Sequence, residues 1–68
     1  MMNTDWKSLL STKQNVAAVS NFAAGSTTGK QFLSSFTNTP NSGTVRTLLR
    51  ERGVTGARSL AKKALSRR

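Results

Sequence analysis

Catalysis and metal binding need side chains that move protons, hold cations or attack electrophiles, and this sequence has few of them. Its only carboxylates are Asp5 and Glu51, and it contains neither histidine nor cysteine. General acid–base work draws on histidine, a carboxylate pair or an activated lysine. Nucleophilic catalysis needs a nucleophile beside a base, and zinc needs thiolates and imidazoles. With 11 Lys+Arg against 2 Asp+Glu, the two carboxylates are expected to pair with arginine rather than with each other. The sequence therefore predicts no enzyme, no metal site and no cofactor. The lack of cysteine also agrees with a reducing compartment.

One segment invites a nucleotide-binding reading. In AAGSTTGKQ, residues 23–31, Gly25 and Gly29 bracket Ser26, Thr27 and Thr28, and Lys30 follows. A phosphate loop has the pattern G-x-x-x-x-G-K-[ST], with backbone donors around the phosphates and a hydroxyl for magnesium. Here the glycines are one residue too close, Gln31 stands in the hydroxyl position, and no strand precedes. Helix punctuation explains the same residues better. Gly25 ends one helix, and Thr28 with Gln31 forms a T-x-x-Q capping box that starts the next.

Charge carries the strongest signal. The formal net charge is +9 and the sequence pI is about 12.0, a balance that favours a polyanionic partner. Residues 44–68 hold Arg46, Arg50, Arg52, Arg58, Lys62, Lys63, Arg67 and Arg68 against Glu51, eight minus one, or +7. Residues 1–43 hold Lys7, Lys13 and Lys30 against Asp5, three minus one, or +2. These eight cations of the back half are the candidate nucleic-acid-binding residues.

The elements that position them follow from periodicity. Asn3 or Thr4 can cap a first helix with Asp5 in its opening turn. Trp6, Leu9, Leu10, Val16 and Ala17 share one side of a helix over about 4–20, interrupted by Lys13. Phe32, Leu33 and Phe36 mark a short helix over about 29–36. TNTPNSG, residues 37–43, is a turn and the boundary between a docking region, 1–43, and a basic helical pair, 44–68. In that pair Thr44 caps a helix over about 45–52 that closes at Gly53, and Thr55 caps one over about 56–67. Ala57, Leu60, Ala61, Ala64 and Leu65 take one side of the last helix, and Arg58, Lys62, Lys63 and Arg67 the other. The expected fold is small all-α, with short helices joined by extended Gly/Ser/Thr/Asn-rich segments. Nine Ser, nine Thr and five Asn leave little to bury, so the chain is expected to order only within a larger assembly.

The run TVRTLLRERGVTGARSLAKKALSRR resembles the helix-loop-helix of SAP-type DNA-binding modules, with Leu49, Gly53, Val54, Gly56, Leu60 and Leu65 on that scheme. The loop between the glycines is about two residues short, and the leucine spacing after the second glycine is off by one. G-V-T also resembles a helix-turn-helix, but Arg52, Ser59 and Lys62 stand where that family places apolar residues. Either resemblance covers about a third of the chain and would imply DNA binding; neither is adopted.

The function expected from these features is structural and non-enzymatic. A minor or internal virion (capsid) protein would dock on a shell or scaffold protein through Trp6, Leu9, Leu10, Phe32 and Phe36, and would touch nucleic-acid phosphates, DNA or RNA, through its basic half. It would act in multiple copies, in the virion or in host cytoplasm or nucleoid. Alternatives are a free-standing small DNA-binding regulator, a cationic amphipathic membrane-active peptide, a surface for an acidic protein, and a merely solvated charge run. The Ala-built apolar face of the last helix, without an aromatic anchor, disfavours the membrane. The opening MMNTDWKSLLSTK is too polar for a signal peptide, and no stretch approaches a transmembrane segment.

Overall fold

The computed structural model describes residues 6–67 as four helices, α1 (Trp6–Leu9), α2 (Lys13–Ala23), α3 (Gly29–Ser34) and α4 (Ser42–Ser66), with no strand among them. The expected all-α class is what forms. Asn3, Thr4, Asp5 and Arg68 lie outside the described residues.

The single helix expected over 4–20 is instead two. The Ser11 hydroxyl donates to the Ser8 carbonyl at 2.8 Å, closing α1. Thr12 then takes an extended conformation (φ −129°, ψ 161°), and its hydroxyl accepts the Asn15 N–H at 3.0 Å as the N-cap of α2. Ser and Thr offer the backbone partners outside the helical ladder, so the Ser11-Thr12 pair breaks a pattern that apolar spacing alone would continue. Helix α2 runs on to Ala23 and ends as expected at Gly25, which sits at φ +84°. The Gly25 N–H donates to the Phe22 carbonyl (3.1 Å) and the Ser26 N–H to the Asn21 carbonyl (2.8 Å), the paired bonds of a Schellman closure.

The T-x-x-Q box forms as read. The Gln31 N–H donates to Thr28 Oγ1 at 3.1 Å, and the Thr28 N–H donates to Gln31 Oε1 at 2.9 Å. Helix α3 stops at Ser34, and Phe36 follows in the turn that leads to α4. There Asn38 adopts φ 69°, which Asn tolerates better than most residues. Thr39 Oγ1 donates to the Phe36 carbonyl and accepts the Asn41 N–H. Ser8 Oγ donates to Asn41 Oδ1 at 3.0 Å, tying α1 to the start of α4.

The basic half forms two helical segments about Gly53, with a start and a joint that differ from those expected. Helix α4 begins at Ser42 after Asn41, so Thr44 lies in its first turn and is not its cap. The R-G-V-T loop expected between two helices contracts to a kink at Gly53, the one residue with non-helical angles (φ 72°, ψ 172°). That conformation is open essentially to glycine alone.

One core gathers residues from all four helices and the α3–α4 turn: Leu9, Val19, Phe22, Ala23, Phe32, Phe36, Val45, Leu48, Ala57 and Ala61. Phe22 and Phe32 stack in parallel with centroids 4.2 Å apart, and Phe36 meets Phe32 edge-on at 5.4 Å, the second a favoured arrangement for aromatic rings. Ala57 and Ala61 are completely buried, which lets the α4 backbone lie close on this cluster. The core therefore spans the 37–43 segment, taking its aromatic side from the front half and its aliphatic lid from the back.

Candidate nucleic-acid interface

The buried face of α4 determines where its cations point. Val45 and Leu48 before the kink, and Ala57 and Ala61 after it, turn inward. Arg46 and Arg50, one turn apart, therefore stand on the outer flank of the first segment. Lys62, Lys63 and Arg67 occupy the outer arc of the second. All five are exposed, as are Arg52 and, outside α4, Lys7, Lys13 and Lys30. Exposed charge on the outer side of a helix suits contact with a phosphate chain.

Among the described residues Arg58 is the one expected phosphate-binding residue that is not exposed. It is half-buried, with its guanidinium carbon 4.7 Å from the centre of the Phe22 ring. Its Nη2 donates to the Thr27 carbonyl at 3.3 Å. Arg58 Nε and Thr27 Oγ1 are buried without hydrogen-bond partners. Its side chain thus lies along the edge of the aromatic core and bridges α4 to the α2–α3 turn. Its place on the polar side of a helical wheel hid this, because the wheel does not show that the α2–α3 turn rises to meet it.

The expected docking residues separate in the same way. Leu9, Phe32 and Phe36 have relative exposures of 0%, 1% and 0%, so they offer no area to a partner. They are core residues, and the docking role expected of them is corrected here. Trp6 and Leu10 are half-buried and remain accessible. They line a surface groove of about 740 Å³ together with Lys7, Leu60, Lys63, Ala64 and Arg67. Trp6 belongs to the front half in sequence, yet the fold places it in one groove with Lys63 and Arg67 of the basic half. Folding the chain back at the Ser11-Thr12 break and again after α3 lays α1 beside the last turns of α4. No linear spacing signals the meeting.

Glu51 is exposed on α4, and no group of three potential metal ligands occurs among the described residues. No described helix is long and apolar enough to cross a membrane. The chain matches no protein-family model, no curated protein and no solved structure.

Proposed function

We propose that this chain is a non-enzymatic nucleic-acid-binding protein of a larger nucleoprotein assembly, a minor or internal virion protein being the form that its composition favours. The observation that carries this reading is the outer arc of α4, where Arg46, Arg50, Lys62, Lys63 and Arg67 are exposed opposite a buried Val/Leu/Ala face, in a chain of net charge +9. Cations held on the two segments of α4 neutralise phosphates and release condensed counterions with no need to read bases. Binding is expected to be general in sequence and to use several copies along one polymer. Docking on a protein shell would use the exposed polar surface of α2 and α3, since Phe22, Phe32 and Phe36 of the front half are spent on the core.

The test uses the full chain with Arg46, Arg50, Lys62 and Lys63 changed together to Gln. If about six cations engage duplex phosphates, log affinity falls with log salt at a slope near −5, and losing four of them brings it to about −2. Unchanged affinity and slope in the variant, with helicity preserved, would remove the reading. The shared core favours a second one, a free-standing DNA-binding protein that folds and acts without a shell. Competition between labelled sites and bulk genomic DNA separates the two, since a regulator retains a preferred site and an assembly protein does not.

A further inference from the structure

The groove between α1 and the end of α4 combines two features that general phosphate binding does not require together. Its floor is apolar, made by Trp6, Leu10, Leu60 and Ala64, and its rim is cationic, made by Lys7, Lys63 and Arg67. No carboxylate lines it among the described residues. Trp6 packs against the edge of the core yet still faces this open volume of about 740 Å³. An indole needed only to close the core would be covered by apolar neighbours, whereas Trp6 shares an open groove with three cations from two helices.

We infer that this groove binds single-stranded nucleic acid, with an unpaired base stacked on Trp6 and the flanking phosphates held by Lys7, Lys63 and Arg67. An aromatic platform inside a positive groove is the physical requirement for sequence-tolerant single-strand binding, because every base has a π-face. A duplex hides its bases in the stack and can offer the groove only phosphates. The inference rests on the phosphate-binding reading and adds to it a preference for unpaired strands at a defined place on the molecule. Charge complementarity selects this occupant over an uncharged apolar peptide, since such a peptide would gain nothing from the three exposed cations at the rim.

Trp6 is the sole tryptophan in a chain without tyrosine, so intrinsic fluorescence reports on this groove alone. The experiment titrates the full chain with an oligothymidylate, a duplex of equal length, an abasic deoxyribose-phosphate oligomer and vesicles of phosphatidylglycerol. Expected is quenching by the oligothymidylate, little by the duplex or abasic strand, and single-strand affinity about ten-fold above the abasic strand. Trp6→Phe should keep that advantage and Trp6→Ala should abolish it, with helicity checked by circular dichroism. Should Trp6→Ala fail to fold, the Lys63→Gln/Arg67→Gln pair decides, because it must weaken quenching in a folded chain. Equal binding of all three oligomers without quenching would overturn the groove assignment and leave the phosphate reading standing. Failure of all three to bind would overturn both. A blue shift on vesicles with no response to oligothymidylate would give the groove to a lipid instead.

Discussion

At the residue scale, the most constrained contact lies where the N-terminus of α3 meets the kink in α4. A Cβ on Gly29 would stand 2.8 Å from Val54 Cγ2 and 3.6 Å from Leu49 Cδ2. The first distance is a clash and the second is ordinary contact. Gly29→Ala should therefore destabilise the chain by about 1–3 kcal/mol, the usual cost of overpacking. Val54 is 43% exposed, so trimming it to Ala should cost little by itself. In a Val54→Ala background Gly29→Ala should become neutral, and a urea double-mutant cycle showing no such coupling would refute the contact. Arg58 gives the second prediction at this scale. Stacked on Phe22 and bonded to the Thr27 carbonyl, it should contribute about 1–2 kcal/mol to stability through its cation–π contact and hydrogen bond. Arg58→Gln should lower the melting midpoint and leave the salt slope of nucleic-acid binding unchanged. Lys62→Gln should do the opposite, lowering the slope by about 1 at constant stability. A reversed pattern would return Arg58 to the interface.

At the scale of elements, what the sequence disclosed was punctuation tied to local hydrogen bonds. Gly25 and the Thr28–Gln31 box behave in the fold as their types require, because each closes bonds within six residues. The break at Ser11-Thr12 was equally local but was masked by the apolar stripe from Trp6 to Ala17, which α2 does not bury: Ala17 is exposed, and Val19, Phe22 and Ala23 turn inward instead. Gly53 was legible as a stop, but its geometry was not, since a glycine can end a helix or redirect one and only packing selects between them. Here the Gly53 backbone takes an angle pair open to glycine, and α4 continues after that one non-helical residue. Gly53→Ala forces a side chain into φ 72°, ψ 172°, and should cost about 1–3 kcal/mol by thermal or chemical denaturation. No neighbour lies within 4 Å of a Cβ at Gly53, so the penalty is conformational and trimming adjacent side chains should not relieve it. Rescue by a neighbouring truncation would show that the kink is held by packing and not by backbone preference.

At the scale of the whole molecule, the separation of charge and the separation of fold do not coincide. Net charge divides the chain near residue 43, which is why composition suggests a docking front and a binding back. Burial does not divide there: Phe22, Phe32 and Phe36 are covered by a lid that includes Val45, Leu48, Ala57 and Ala61. Pairings between residues so far apart leave no local trace, so the expectation that front and back act apart had nothing in sequence to correct it. A chain with one core should unfold as one unit. The full chain alone in buffer should show helical circular dichroism and a single cooperative melt, with coincident transitions by circular dichroism and Trp6 fluorescence. The fragments 1–43 and 44–68 should each lose most of that helicity, because cutting at 43 strips the aromatic cluster of its lid and leaves short helices without a partner surface. Mixing the fragments should restore part of the signal in a concentration-dependent way. If fragment 1–43 instead melted cooperatively like the intact chain, the front half would be a domain in its own right, and the basic half would be an appendage whose order depends on its polyanion. A full chain without cooperative structure until nucleic acid is added would make the polyanion, rather than the lid of α4, the element that completes the core.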